Sequence, residues 1–120
     1  MPAPSPLGSQ LEHAFSLDPS YRVHDVGHAE YLLRYRNASG LAFAVGRTTK
    51  TAAKVWIPAD ERWRDALVAD GFDCVERDCA SDGKGRIITL QAMPEFRGKR
   101  AYSVRVKTVD EALAVAAKLR

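Results

Sequence analysis

Cysteine, long apolar runs and a secretory leader are scarce or missing in this chain of 120 residues. Two cysteines cannot complete a four-ligand zinc site, and their odd separation puts Cys74 and Cys79 on opposite faces of a regular strand. No apolar stretch approaches the roughly 20 residues that a membrane helix needs. The opening MPAPSPLGS lacks both the basic and the apolar region of a signal peptide. We therefore expect free thiols, a cytoplasmic location and no membrane partner.

Catalytic motifs are also missing. The chain has no G-x-S-x-G and no G-x-x-x-x-G-K-[ST], so neither an activated serine nor a phosphate-binding loop is predicted. His24, Asp25 and His28 suggest a metal site, but Val26-Gly27 interrupts the helix that would bring both imidazoles to one side. We therefore assign no catalytic residue, no metal ligand and no cofactor, which favours a non-enzymatic protein. One enzymatic alternative stays open, a small metal-dependent nuclease using Glu76, Asp78 and Asp82.

Charge is strongly segregated along the chain, although the net charge is only +3. Residues 31–58 carry five bases and no acid, and residues 83–108 carry seven bases and one acid. Between them, residues 59–82 carry eight acids and three bases. Such asymmetry indicates the kind of partner and says nothing about the fold. It favours nucleic acid, or alternatively a protein partner or self-association of acidic and basic surfaces into a homo-oligomer.

The length fits a single domain, which we place at residues 9–120. Residues 1–8 hold three of the six prolines and are predicted to form a flexible tail. SQLEHAFSL predicts a helix in which Ser9 is the N-cap and Glu12 has capping-box spacing. ADERWRDALVADG predicts a second helix that ends at Gly71, and TVDEALAVAAKLR predicts a third with Thr108 as its N-cap.

The clearest strand signal is EYLLRYRNASGLAFAVGR, which predicts a β-hairpin. A three-residue loop, Ala38-Ser39-Gly40, fits a type I turn closed by a left-handed glycine. That loop pairs Tyr35 with Phe43 and Leu33 with Val45, so the large apolar side chains share one face. A loop one residue longer or shorter would place Arg34 opposite Phe43, so the turn and the hydrophobic pattern agree on one register.

Four further segments alternate as strands do: AAKVWIP, FDCVERDC, GRIITLQA and AYSVRVK. The strands within residues 31–57 are joined too tightly for helical crossovers, which favours antiparallel pairing. We therefore predict an α+β fold, in which a mostly antiparallel sheet of five to six strands carries two to three helices packed mainly on one face.

The functional hypothesis concerns the face of that sheet opposite the helices. Alternation places Arg34, Arg36, Lys54 and Trp56 there, a combination suited to phosphate contacts and base stacking. Basic loops would extend the surface. The predicted nucleic-acid-binding residues are therefore Arg34, Arg36, Arg47, Lys50, Lys54, Trp56, Lys84, Arg86, Arg97, Lys99 and Arg100. The ordinary alternative is a solvated polar face, with Trp56 buried under a loop or under the first helix.

Overall fold

The computed structural model describes residues 6–28, 32–46, 52–78, 93, 96 and 99–119. These residues form three helices and a six-stranded sheet. The helices are α1 (Pro6–Leu17), α2 (Glu61–Ala69) and α3 (Val109–Ala117). The strands are β1 (Arg22–Val23), β2 (Leu32–Arg36), β3 (Ala42–Gly46), β4 (Ala53–Pro58), β5 (Cys74–Asp78) and β6 (Arg100–Val106).

The strand order across the sheet is β1-β2-β3-β4-β6-β5, and every neighbouring pair is antiparallel. The first four strands follow one another as a meander, while β6 inserts between β4 and β5. This arrangement confirms the predicted α+β class. None of the helices within the described ranges has the length and apolarity needed to cross a bilayer.

The predicted hairpin is confirmed in its register. Tyr35 lies opposite Phe43 and Leu33 opposite Val45. The Asn37 N–H donates to the Leu41 carbonyl at 3.0 Å, and Gly40 adopts a φ of 86°. A left-handed glycine lets the strands reverse in three residues without a Cβ clash, so the turn sequence fixes which side chains share a face.

All three helices cover one face of the sheet, which we call the helix face. Its core combines large side chains from the sheet with one apolar stripe from each helix. Phe15 of α1 packs on Tyr35 and Phe43, with ring centroids 4.9 and 5.6 Å apart. Trp63 and Leu67 of α2 and Val115 of α3 are buried in the same cluster. This is the layer that the two periodicities, two in strands and 3.6 in helices, predict.

The opposite face, which we call the second face, carries a separate and smaller buried cluster. It consists of Leu32, Ala42, Ala44, Trp56, Met93, Phe96 and Ala101. Met93 and Phe96 belong to the 21-residue connection between Asp78 and Arg100. Both side chains are fully buried, so Met93 and Phe96 cover part of the second face.

Helix ends follow the predicted chemistry at α2 and α3. The Thr108 hydroxyl accepts the Glu111 N–H at 3.1 Å, as in a capping box. At the end of α2, Gly71 has a φ of 90°, its N–H donates to Val68, and the Phe72 N–H donates to Leu67. These are the two hydrogen bonds of a Schellman motif, so the helix stops where the glycine permits a left-handed residue.

Two features of the N-terminal region differ from the sequence prediction. The helix α1 begins at Pro6, so Ser9 is an interior residue and the predicted N-cap is wrong. Proline suits a first helical turn because its missing N–H would have no partner there, and Leu7 and Gly8, assigned to the tail, are buried. The strand β1 was not predicted, since two residues are too few to show alternation. The predicted strand GRIITLQA, at residues 85–92, lies outside the described residues.

Candidate nucleic-acid interface

The predicted residues do share the second face. Antiparallel pairing aligns Arg34 with Ala44, Ala44 with Trp56, and Trp56 with Ser103. Ala44 and Trp56 belong to the second-face cluster, so this row runs across the side of the sheet that the helices do not touch. The pleat therefore places the residues on the expected side. Their exposure is a separate matter.

Trp56 is not exposed, and the expectation that it would be is wrong. Only 3% of the residue is accessible, because Met93 and Phe96 pack over the second face around it. Of the two coverings weighed from the sequence, the one found is a loop and not α1. An indole buried in this way offers no surface for base stacking. Its Nε1–H, also buried, has no hydrogen-bond partner among the residues the structure describes.

Arg34 is also buried, at 6% exposure, so the expectation that its guanidinium lies on an exposed surface is wrong as well. Its Nη1 donates to the Gly27 carbonyl at 3.3 Å, in the turn that follows β1. Burial lowers the pKa of the guanidinium, which remains charged at neutral pH because an arginine pKa starts far above it. Arg34 is therefore a cation held inside the fold, where it contacts backbone and not an external phosphate.

Arg36 is half-buried and committed to neighbours in the chain. Its Nη1 donates to the Gly40 carbonyl at 3.0 Å, and its Nη2 lies 3.5 Å from the Asp25 carboxylate. These contacts fasten the hairpin turn and the end of β1 to β2. They also leave little of the guanidinium accessible, since 16% of the side chain is exposed.

Exposed cations do converge at one end of the second face. Lys54 of β4 lies directly opposite Arg105 of β6, and both are exposed. Lys107, also exposed, follows two residues beyond Arg105. We call Lys54, Arg105 and Lys107 the basic strip. Neither Arg105 nor Lys107 forms a salt bridge within the described ranges, and like charges directly opposite in a sheet repel each other.

Lys54 also connects the basic strip to the buried tryptophan. Its ammonium lies 5.8 Å from the centre of the Trp56 ring, a cation–π distance. The aliphatic part of a lysine can cover apolar surface while its charge stays in water. Lys54 therefore belongs to the cover over the indole as well as to the charged surface.

The predicted basic loop before β6 is placed at the opposite end of β6 from the basic strip. Lys99 and Arg100 are exposed and line a cavity of about 450 Å³ together with Pro58 and Ala59. Arg100 donates to the Glu76 carboxylate at 2.9 Å, so part of its charge is neutralised within the chain. The structure therefore separates these two cations from Arg105 by most of a strand.

Five of the predicted residues lie outside the described residues. They are Arg47, Lys50, Lys84, Arg86 and Arg97. Their assignment stays a prediction from the sequence.

The acidic stretch 59–82, which would meet a basic partner surface in self-association, pairs repeatedly with cations of its own chain. Asp60 contacts Arg62 at 2.8 Å, Asp70 contacts Lys118 at 2.6 Å, and Glu76 contacts Arg100. The Asp60 pairing also lowers the pKa of that carboxyl, chiefly through hydrogen bonds from Arg62. These three acids are therefore engaged within the chain, while Glu61, Asp65 and Asp73 of the same stretch are exposed.

The residues weighed for metal or thiol chemistry have other roles. No three His, Cys, Asp or Glu side chains gather as a metal site among the described residues. The Nδ1 atoms of His24 and His28 accept backbone N–H groups from Val26 and Arg34. A neutral imidazole that accepts at Nδ1 carries its proton on Nε2 and has no second lone pair for a metal.

Cys74 is a free thiol that packs at the margin of the helix-face core. Burial raises the pKa of the Cys74 thiol, so it is protonated at neutral pH and is not an activated nucleophile. Cys79 lies outside the described residues.

Comparisons with protein-family models, with curated proteins and with solved structures find no match. The surface must therefore be judged on its own chemistry. Sequence reasoning missed Arg105, although alternation in AYSVRVK puts it on one face of the strand with Ser103 and Lys107. What it lacked was the strand order, because only the insertion of β6 beside β4 brings Arg105 next to Lys54.

Proposed function

We propose that this protein is a small non-enzymatic module that binds nucleic acid through phosphate contacts from the basic strip. The cross-strand pair of Lys54 and Arg105 carries this proposal. Two like charges on adjacent strands disfavour each other, and an anion placed between them converts that repulsion into two attractions. Lys107 extends the cationic surface along the same strand direction.

The buried tryptophan defines how such binding would work. With the Trp56 indole enclosed, no described aromatic on this face is available for stacking on a base. Contacts to phosphate fix position but carry no sequence information directly. We therefore expect binding that depends on backbone charge and is nearly indifferent to base sequence, for duplex DNA, single-stranded DNA and RNA alike.

A salt series tests the proposal. Three probes of equal length are used: a DNA duplex of about 20 base pairs, a single-stranded DNA and an RNA. Their affinity for the protein would be measured by fluorescence anisotropy between about 50 and 200 mM salt. Because each neutralised phosphate releases condensed counterions, the logarithm of the affinity falls linearly with the logarithm of salt, with a slope of about −0.9 per contact on duplex DNA. Binding that ignores salt, or no binding at the lowest salt, would refute phosphate recognition.

Two matched variants locate the surface. Arg105→Gln removes one charge from the basic strip, and Arg64→Gln removes one exposed charge from α2 on the other side of the sheet. Arg105→Gln should make the salt slope shallower by about 1 and weaken affinity uniformly across sequences. Arg64→Gln should leave both unchanged. Equal effects of the two variants would show that net charge matters and the basic strip does not.

A further inference from the structure

Two adjoining cavities lie at the end of the sheet where β2 turns into β3. Their volumes are about 360 and 380 Å³. They share five lining residues, from the loop before β1 and from the hairpin turn: Ser20, Tyr21, Asn37, Ala38 and Ser39. The first cavity extends to Arg22, and the second extends to Asp18 and to the C-terminal end of α3 at Ala116. We call the two cavities together the hairpin cleft, whose size suits a small molecule.

Hydrogen bonds within the chain hold the walls of the hairpin cleft in place. The Asn37 side chain donates to the Leu119 carbonyl beyond α3, and its oxygen accepts the Ser39 N–H at 3.0 Å. In the loop before β1, Oδ1 of Asp18 accepts the Ser20 N–H at 2.9 Å. The cleft therefore exists before a ligand enters, and little of the binding free energy is needed to order its walls.

The two ends of the hairpin cleft carry opposite charges. Among the described residues that line it, the charged ones are Asp18 in one cavity and Arg22 in the other. Neither residue forms a salt bridge within the described ranges. Asp18 is half-buried, whereas Arg22 is exposed. Each end of the cleft therefore offers a charge that a bound group of the opposite sign can neutralise.

The C-terminal end of α3 strengthens the negative end of the cleft. Ala116 and Leu119 line the same cavity as Asp18, and the last carbonyl groups of a helix carry a partial negative charge. Lys118 is the C-cap of this helix, but its ammonium contacts Asp70 at 2.6 Å and it does not line the cleft. A cation in this cavity would therefore meet both a carboxylate and the end of a helix dipole.

Hydroxyl groups lie between the two charged ends. Tyr21 lines both cavities, and its ring packs edge-on against Phe15 and Phe43 at 5.0 and 5.7 Å. Burial and the nearby Asp18 charge raise the pKa of the Tyr21 phenol, so this group is protonated at neutral pH and can donate a hydrogen bond. The shared serines add two exposed hydroxyls. The middle of the cleft thus suits polar atoms without a net charge.

We propose that the hairpin cleft binds a small zwitterion that carries both an ammonium and a carboxylate group, as free amino acids and short peptides do. The ammonium lies against Asp18 and the end of α3, and the carboxylate lies against Arg22. A zwitterion neutralises both ends at once, which a simple cation or anion does not. The cleft is at the opposite end of β3 from Lys54, since Val45 pairs with Val55, and the proposal does not depend on nucleic-acid binding.

Nitrogen–proton magnetic resonance spectra of the full chain test the site with two probes. Alanine and the dipeptide alanylalanine are each added up to about 10 mM, a range that detects weak binding. Either probe should shift the amide signals of Ser20, Ser39 and Leu119, and the probe that does so at the lower concentration shows whether an amino acid or a peptide fits better. If neither probe shifts these signals, the proposal is overturned.

Blocked dipeptides test whether both charges are needed. N-acetyl-alanylalanine lacks the ammonium, and alanylalanine amide lacks the carboxylate. Each should bind about tenfold more weakly than alanylalanine, because each loses one hydrogen-bonded charge pair. A blocked dipeptide that binds as tightly as alanylalanine would overturn the proposal of a zwitterion.

Two variants with matched controls assign the charges to residues. Asp18→Asn keeps an oxygen for the Ser20 N–H and should weaken alanylalanine binding about tenfold, without further weakening the N-acetyl form. Arg22→Gln should weaken alanylalanine binding and spare the amide form. Asp65→Asn and Arg64→Gln change exposed residues of α2 by the same charges and should leave binding unchanged. Equal losses in a variant and its control would refute the assignment, because net charge alone would explain them.

Discussion

The two faces of this sheet bury side chains by different means. The helix face joins large residues of the strands to apolar stripes of three helices, and its centre is a cluster of aromatic rings around Phe43. On the second face three of the seven clustered residues are alanines, and the cover comes from Met93 and Phe96 of a long connection. One face is closed by regular secondary structure. Within the part of the chain that the structure describes, the other is covered by two side chains, Met93 and Phe96.

This difference shows what small residues in a strand mean. From the sequence alone, Ala42 and Ala44 on β3 fit the floor of an open binding surface beside Trp56. In the structure the same alanines leave room for Phe96 and Met93 to reach the sheet. An exposed tryptophan beside two alanines would leave a large apolar surface in water, which is unfavourable. Met93 and Phe96 remove that cost by packing in the same cluster as Trp56.

The sharpest comparison of the faces uses one substitution in each. Phe43 and Phe96 are both fully buried, so replacing either by alanine removes the same atoms. Phe43→Ala should lower the free energy of unfolding by about 3–5 kcal/mol, because rigid helices prevent the cavity from collapsing. Phe96→Ala should cost about 3 kcal/mol or less, because a loop can settle into the space. Urea denaturation followed by circular dichroism measures both values.

The comparison of the two losses shows whether the two clusters are equally rigid. A smaller loss for Phe96→Ala means that the residues covering the second face can move into the cavity. An equal or larger loss would mean that the two clusters form cores of equal rigidity, and the distinction between the faces would fail.

A smaller effect should come from the helix face alone. Thr108→Ala removes the hydroxyl that accepts the Glu111 N–H at the start of α3. We expect a loss of about 1 kcal/mol in the free energy of unfolding, as for other N-caps. Thr108→Ser keeps an acceptor and should retain most of the stability. If Thr108→Ala also changed the fluorescence of Trp56, the two faces would be coupled through the sheet, contrary to this comparison.

Much of the helix face could be predicted from the sequence because its rules are local. The turn Ala38-Ser39-Gly40 fixed the pairing of Tyr35 with Phe43, and Gly71 fixed the end of α2. Thr108 and Glu111 fixed the start of α3. Each of these depends on residues at most a few positions apart, where backbone geometry leaves few choices.

The second face could not be predicted in the same way because its determinants are distant in the sequence. Trp56 and Phe96 are forty positions apart, and no local pattern states that a loop will return over a strand. The neighbour relation of Lys54 and Arg105 depends on β6 lying beside β4, which alternation leaves undetermined. The strand β1 was missed for another reason, since its two residues are too few to show an alternating pattern.

The smallest expected effect tests whether the buried polar group of the second face, the Trp56 indole N–H, lacks a hydrogen-bond partner. Trp56→Phe loses part of a buried ring but also removes an indole N–H that has no partner among the described residues, a defect worth about 1–3 kcal/mol. The two terms oppose each other, so we expect the free energy of unfolding to change by less than about 1 kcal/mol. Trp63→Phe is the matched substitution on the helix face, where Trp63 is buried and is not among the unpartnered groups. It should cost more, because it reduces the packing and the contact with Arg62, which lies 5.8 Å from the ring centre, and removes no such defect. If Trp56→Phe proved the more damaging of the two, the indole N–H would have a partner in solution, and the second face would be as well satisfied as the first.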